Sequence, residues 1–412
     1  MKTAWAWVIR ALVLSVCVFL TARTARIAVA DLRAQQHGLQ GVESAIRLEP
    51  GDSVLVARAA LFRNDIGDVS PEVDRQLRHA SEEDPLNADV LMALGLREEF
   101  AGHPAEAERY LVHAAAIDHT FKPAWTLANF YFRNNQPDKS WPMIGRIVNL
   151  DPLAVDPSPV FDLCWYETGD AKKIQALIPA HGVLPLQYLG YLMTRKQVDA
   201  AIELLPRVLD AADPADLGWV DSLNNFVEFL ERANRLPDAV RSWNQLADRK
   251  IIVSGRLDPG AGVSVADPDF TFPLIERGFG WRVAHEAGVS VVKESSSLRF
   301  EFDGNEPESS VLLTTAAPLV PGRAYRLIWK TDASSLSSRQ DPGFAWRIVQ
   351  QPGDAVTECQ PLLQAGDEGA CRFTSLSNAN KAQLNLMYRR AVGTTRVEGM
   401  LRIANVKLEF GS

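Results

Sequence analysis

The side chains best suited to catalysis do not fall into a familiar catalytic arrangement. Histidine is a common general base and metal ligand, but no histidine of this chain belongs to the HExxH motif of zinc hydrolases. The GxSxG motif of serine hydrolases and the glycine-rich phosphate-binding loops are also absent from the sequence. The histidines are scattered, at His37, His79, His103, His113, His119, His181 and His285.

Carboxylates are plentiful, but their spacing does not indicate a catalytic pair. The runs 82–84 and 98–99 fall at the ends or on the polar faces of predicted helices. Hydrolysis of a glycosidic bond needs two carboxyl groups at a set separation in space, which spacing along the chain does not establish. We therefore expect no catalytic residue, no cofactor and no enzyme activity. An unrecognised polysaccharide hydrolase stays open as an alternative.

The four cysteines predict at most one disulfide. Cys17 lies in an apolar N-terminal stretch, and Cys164 stands alone in the helical region, where a small buried side chain is the simplest interpretation. Cys359 and Cys371 flank a Gly/Asp loop in a strand-rich region, so in an oxidising compartment they can join two neighbouring strands. The spacing does not fit zinc, because no second CxxC or His pair accompanies them.

Length and charge restrict the class of protein. A chain of 412 residues suits two folded units plus a targeting segment. The net charge of -8 and the lack of a Lys/Arg-rich block argue against nucleic acid as a partner.

The N-terminal segment predicts a membrane anchor. Residues 4–22 are apolar except for Arg10, and as a helix they span about 28 Å, close to the hydrocarbon thickness of a bilayer. A cleaved signal peptide is the alternative, because residues 28–30 (Ala-Val-Ala) fit a cleavage site near Ala30. Arg23 and Arg26 lie between the apolar core and that site, which favours an uncleaved anchor.

A repeat follows the anchor. Similar tripeptides end at positions 50, 85, 119 and 152, with spacings of 35, 34 and 33 residues. This period is typical of paired helices that stack on one another. In the clearest unit, Leu91, Leu94 and Gly95 open the first helix, and Ala107 and Leu111 lie on the second. Gly95 and Ala107 are small where two helices must approach closely.

The pattern weakens after Pro152 and then changes. Helical hairpins are predicted at about 160–178, 184–210 and 214–248. A separate helix is predicted near the start of the repeats, over 31–48. From about residue 289, short alternating runs separated by turn residues predict roughly eight strands and hence a β-sandwich. The predicted strands are 289–293, 297–302, 310–314, 324–331, 343–350, 370–373, 382–388 and 400–409.

Two resemblances follow from these patterns. Residues 31–250 resemble tetratricopeptide repeats, which implies a helical solenoid with a groove for protein partners. Residues 255–412 resemble the galactose-binding-like jelly roll of carbohydrate-binding modules, through segments 278–282, 297–304, 321–327 and 399–408. With the anchor, the arrangement is similar to uncharacterised bacterial envelope proteins associated with exopolysaccharide production. The predicted domains are thus 1–30 (anchor or signal), 31–250 (repeats) and 251–412 (jelly roll).

The resemblance to sugar-binding modules directs attention to aromatic rings and planar polar groups. Sugar recognition uses such groups for ring faces and hydroxyls, and the candidates are Trp281, Trp346, Arg347, Tyr388 and Arg389. Filling of the sandwich core is the preferred interpretation of Trp281 and Trp346. Related modules often hold a structural calcium ion, for which Asp269 and Glu409 are candidate ligands.

The sequence as a whole predicts a non-catalytic scaffold of the bacterial inner membrane, with its body in the periplasm and a role in polysaccharide assembly or export. Secretion after cleavage is the alternative location. A glycan-binding module on a helical spacer is the alternative function.

Overall fold

The computed structural model describes residues 2–36, 38–150, 156–337, 343–359, 368–390 and 392–411. Within these ranges α-helices fill the N-terminal part of the chain and two antiparallel sheets fill the C-terminal part, so the predicted fold class is confirmed. The chain divides into two compact units, Met1–Pro179 and Ala180–Ser412.

The first unit is a series of helical hairpins. The breaks after α2, α4 and α6 fall at repeated tripeptides, where Asp, Asn or Pro ends one helix or starts the next. The helices are α1 (Lys2–Gln36), α2 (Gly38–Leu48), α3 (Ser53–Asp65), α4 (Pro71–Glu83), α5 (Ala88–Phe100), α6 (Pro104–Ile117), α7 (Phe121–Arg133), α8 (Pro137–Val148), α9 (Ser158–Thr168) and α10 (Ala171–Leu177). The predicted repeat end at Pro152 lies outside the described residues.

In the described part of this unit, three apolar clusters each join a hairpin to the first helix of the next one. One cluster combines α1 and α2 with Leu55 and Ala59 of α3. The next combines α3 and α4 with one side of α5, including Leu94. A third combines the other side of α5 with α6 and with Phe130 of α7. None of these three described hairpins buries its apolar side chains alone, as expected for stacked repeats.

Helix α1 differs from the prediction in its length. It runs without a break through the apolar segment and on to Gln36, so the predicted helix over 31–48 is wrong, and α2 begins at Gly38. Ala30 and Ala34 are buried against Val42 and Ala45 of α2. Residues 12–35 meet the length and apolarity expected of a membrane-crossing helix.

The second unit begins with two further hairpins close to the predicted ranges. Their helices are α11 (Leu184–Thr194), α12 (Val198–Ala211), α13 (Leu217–Arg232) and α14 (Leu236–Asp248). Each of the eight predicted strands is present, and two short strands are added. The strands are β1 (Arg282–Val283), β2 (Val289–Lys293), β3 (Leu298–Asp303), β4 (Ser309–Pro318), β5 (Ala324–Asp332), β6 (Phe344–Gln351), β7 (Val356–Glu358), β8 (Glu368–Thr374), β9 (Lys381–Arg389) and β10 (Glu398–Phe410).

The strands form two five-stranded antiparallel sheets. Sheet A has the order β1-β4-β9-β6-β7, and sheet B has the order β2-β3-β10-β5-β8. Alternate side chains of both sheets meet in one core, which includes Phe300, Leu327, Trp346 and Leu401. Cys359, beside β6 at the edge of sheet A, forms a disulfide with Cys371 on edge strand β8 of sheet B. The disulfide therefore links the two sheets at one edge.

The last hairpin packs on the segment that leads into the sandwich. The ring of Trp243 on α14 meets Phe279 edge to face at 5.7 Å, and its indole N–H donates to the carbonyl of Gly255. On α13, Glu228 accepts hydrogen bonds from Arg282 of β1 and from the backbone of Gly278. These hydrogen bonds hold the pKa of Glu228 below its usual range against the effect of burial.

The close approach of two helices at Gly95 provides a test of the repeat packing. A methyl group at Gly95 would lie 2.6 Å from Leu111, whereas one at Gly145 of α8 would meet nothing within 4 Å. We expect Gly95→Ala to lower the free energy of unfolding by about 1–3 kcal/mol through overpacking. Gly145→Ala is the control and should raise it by up to about 1 kcal/mol through helix propensity. Urea denaturation in detergent measures both, and equal effects of the two substitutions would contradict the packing.

Candidate functional site

The first helices of successive hairpins present the most exposed aromatic side chains of the first unit. Phe100, at the end of α5, is 91% exposed, and Tyr166, near the end of α9, is 81% exposed. Phe132, near the end of α7, is half-buried and meets the Tyr166 ring edge to face at 5.3 Å. We call this set, with the ion pairs beside it, the first-helix face.

Ion pairs join the first helices to one another on this face. Arg133 of α7 binds Glu99 of α5 through two hydrogen bonds, of 2.9 and 2.7 Å. Lys122 of α7 donates to Asp89 of α5 at 2.6 Å. The charges of the first-helix face thus neutralise each other in pairs. Phe100 and Tyr166 remain exposed.

The neighbouring second helices hold this face in position. Arg97 of α5 donates to the carbonyl of Asp68, in the turn between α3 and α4, at 2.8 Å. Tyr131 of α7 donates to Glu108 of α6 at 3.1 Å, and burial together with this carboxylate raises the pKa of Tyr131 to about 12. The pKa of Glu108 is lowered, chiefly by its hydrogen bond from Lys139 of α8.

Three of the five candidate sugar contacts are core residues. Trp346 and Tyr388 are fully buried, and Trp281 is 2% exposed. The Trp281 indole N–H donates to the carbonyl of Asp267, and the Tyr388 hydroxyl donates to Glu306 at 2.8 Å. A buried ring has no free face for a sugar, so the expectation that these three residues contact glycan does not fit the structure. The preferred interpretation of both tryptophans as core agrees with it.

The two arginine candidates lie on the outer face of sheet A. Arg389 is exposed at the end of β9, and Arg347 is half-buried in β6. Arg347 is in register with Asn385 of β9, which in turn is in register with Thr314 of β4. Thr314 donates to the Asn385 side chain at 2.7 Å. The Nε of Arg347 is buried and has no hydrogen-bond partner within the part of the chain that the structure describes.

Neither the remaining cysteines nor the carboxylates form a reactive or metal-binding cluster in the described ranges. Cys164 is buried, and burial raises the pKa of its thiol to about 12, so the nucleophilic thiolate is disfavoured. No group of three His, Cys, Asp or Glu side chains in the described part of the chain is placed to hold a metal. Asp269, a candidate calcium ligand, lies 4.0 Å from Lys407, and Glu409 stands opposite Arg326 on the neighbouring strand.

The aromatic first-helix face was not singled out in the sequence, although a signal for it exists. Phe132 and Tyr166 are 34 residues apart, as are Glu99 and Arg133, so each pair occupies equivalent positions of successive repeats. Reading the repeat period outside the apolar core positions would have identified these two pairs, but not Phe100, which lies 32 residues before Phe132.

Comparison with known proteins gives similarities of fold without a family. No protein-family model matches the chain, and no curated protein matches it. Among solved structures, the tetratricopeptide protein YrrB, described as having an unusual peptide-binding site, is 14% identical with a TM-score of 0.27, covering 51% of this chain and 92% of its own. PilF of Pseudomonas aeruginosa is 15% identical with a TM-score of 0.29, and the match covers 55% of this chain and 91% of PilF. A carbohydrate-binding module, CBM4, is 12% identical with a TM-score of 0.27, and the match covers 36% of this chain and 100% of the module.

Proposed function

We propose that this protein is a non-catalytic, membrane-anchored scaffold that binds a protein partner through the first-helix face of its repeats. The observation that carries the proposal is the exposure of Phe100 and Tyr166, with the paired charges of Glu99 and Arg133 at the ends of α5 and α7. Large exposed aromatic side chains are over-represented among the residues that dominate protein–protein binding. The resemblance to exopolysaccharide-associated envelope proteins suggests polysaccharide assembly or export as the process.

The ion pairs give the face a fixed geometry before binding. Arg133 and Glu99 hold the ends of α5 and α7 side by side, so Phe100 and Phe132 are positioned without a partner. A surface that is already ordered loses less conformational entropy on association. Because its charges are paired, the face favours an apolar segment over a highly charged one.

The face proposal predicts the effect of removing its aromatic side chains. We expect Phe100→Ser with Tyr166→Ser to abolish crosslinking of the partner in membranes, because the main apolar contacts are lost. Val112→Ser is the matched control, since Val112 is 43% exposed on α6, a second helix. Quantitative mass spectrometry of crosslinked complexes measures the partner in wild type and variants. Unchanged recovery with the double variant, or equal loss with Val112→Ser, would contradict the proposal.

We also propose that α1 stays attached as the anchor and that the body lies in an oxidising compartment outside the cytoplasm. Residues 28–30, the candidate cleavage site, lie inside α1, and Ala30 is 1% exposed in the core of the first hairpin. Arg26 of α1 binds Glu49 at 2.6 Å. Cleavage after Ala30 would remove both contacts. The Cys359–Cys371 disulfide supports export, because disulfides persist in oxidising compartments.

The anchor proposal predicts the mass of the mature protein. Protein extracted from membranes should retain residues 1–30 in intact-mass measurement and should need detergent, not salt or carbonate, for its release. Cys359 and Cys371 should be blocked to alkylation until they are reduced. A mature N-terminus at Asp31 would refute the anchor, and free thiols at Cys359 and Cys371 before reduction would refute the compartment.

A glycan-binding role for the sandwich is the second candidate, favoured by the outer face of sheet A. Arg347 is a half-buried planar polar group on this face, and its buried Nε has no hydrogen-bond partner among the described residues. An unpaired buried donor costs about 1–3 kcal/mol. A sugar hydroxyl bound at this position would satisfy it.

This second candidate predicts different effects for a surface and a core substitution. Arg347→Gln should weaken retention in affinity gels containing β-glucan, xylan or galactomannan about fivefold or more, with an unchanged unfolding midpoint. Trp346→Ala should instead lower the free energy of unfolding by about 3–5 kcal/mol, because it empties a core position. If the folded wild-type protein is not retained by any of these glycans, the sandwich is not a general sugar-binding module.

A further inference from the structure

The outer face of sheet B carries several cations, and most of them have a carboxylate partner. Glu294 binds both Arg299 of β3, at 3.0 Å, and Arg402 of β10, at 2.8 Å. These hydrogen bonds, with the largest contribution from Arg402, lower the pKa of Glu294 to about 2. Lys330 lies 3.5 Å from Glu368. The face is therefore mostly a set of neutralised charges.

Arg326 and Arg372 are exceptions on this face. Arg326 of β5 and Arg372 of β8 are directly opposite each other in the antiparallel ladder, so their side chains leave the same face. Neither guanidinium forms an ion pair within the described residues. Glu409 stands opposite Arg326 on β10 but forms no ion pair with it. A third cation, Arg323, is exposed in the turn before β5.

Two like charges directly opposite on neighbouring strands destabilise a sheet unless an anion lies between them. Arginine suits carboxylate in particular, because its planar fork donates two parallel hydrogen bonds. We propose that Arg326 and Arg372 form a binding site for the carboxylate groups of an acidic polysaccharide. The site deepens the proposed glycan-binding role by naming the sugar class, and it lies on the opposite sheet from Arg347.

The surroundings of the pair favour a carboxylated sugar chain over other polyanions. Ala324, Ala370 and Thr374 are exposed beside the arginines, so the surface around the pair includes small, open side chains that an extended polysaccharide can lie across. Anionic membrane surfaces are usually bound by clusters of four to eight Lys and Arg residues, and this cluster has three. Because the chain has a net charge of -8, a polyanion is attracted only where cations are locally unpaired.

Binding of polygalacturonate by the full chain in detergent tests the proposal. Arg326→Gln with Arg372→Gln should weaken this binding about tenfold or more and reduce its salt dependence. Arg47→Gln with Arg109→Gln is the matched control, because it removes the same charge from exposed positions of α2 and α6. The control and Arg347→Gln should each leave polygalacturonate binding within twofold of wild type. Dextran, which is neutral, should not compete.

Other probes separate the sources of an anion. Poly-glutamate carries carboxylates on a peptide, and glycerophosphoglycerol carries the phosphate of a lipid headgroup, so both should compete poorly with polygalacturonate. Equal binding of poly-glutamate, displacement by glycerophosphoglycerol, or equal loss in the control variant would overturn the assignment. No binding of polygalacturonate to folded wild type would overturn it as well. Retention of neutral glycans by Arg347→Gln tests only the proposed site on the outer face of sheet A. Binding of polygalacturonate by Arg326→Gln with Arg372→Gln tests only the site on sheet B, so the two glycan proposals can fail separately.

Discussion

A helical hairpin of this chain cannot bury its apolar side chains unless a neighbouring helix covers them. The clusters reflect this constraint, because each takes side chains from one hairpin and from the first helix that follows. The same constraint applies at the start of the stack, where α1 supplies Ala30 and Ala34 to the first cluster. The apolar N-terminal helix is thus part of the repeat fold as well as a candidate membrane segment.

The same packing also determines which surface is left for a partner. The second helices and the flanks of the first helices are used in stacking, which leaves side chains near the ends of α5 and α9 exposed. Aromatic side chains there, at Phe100 and Tyr166, are not needed for the core. The paired charges at Glu99 and Arg133 stabilise that arrangement without attracting charged ligands. A binding role for the repeats is therefore compatible with their stability.

Periodic features of the fold could be predicted from sequence, and features that depend on three-dimensional convergence could not. The 33–35-residue spacing located the hairpins, and two-residue alternation located the strands, including the buried face of Leu298, Phe300 and Phe302. Trp281 lies outside a long alternating run. The pattern of its neighbours therefore could not say whether its side chain is buried or exposed. The length of α1 was missed because a polar run after residue 30 resembles a helix start. The register that places Arg326 opposite Arg372 is set by strand pairing, which no local pattern reveals.

The dual role of α1 can be tested by hydrogen exchange over residues 26–36 in the full chain, with and without Val42→Asp. Val42 is fully buried in the first cluster, so a charge there should disrupt the packing of α2 on α1. If α1 is the first helix of the repeat stack, residues 26–36 are protected in the wild-type protein and lose that protection in the variant, whereas residues 12–22 remain protected by the detergent. Protection of residues 26–36 that is unchanged by Val42→Asp would contradict the account.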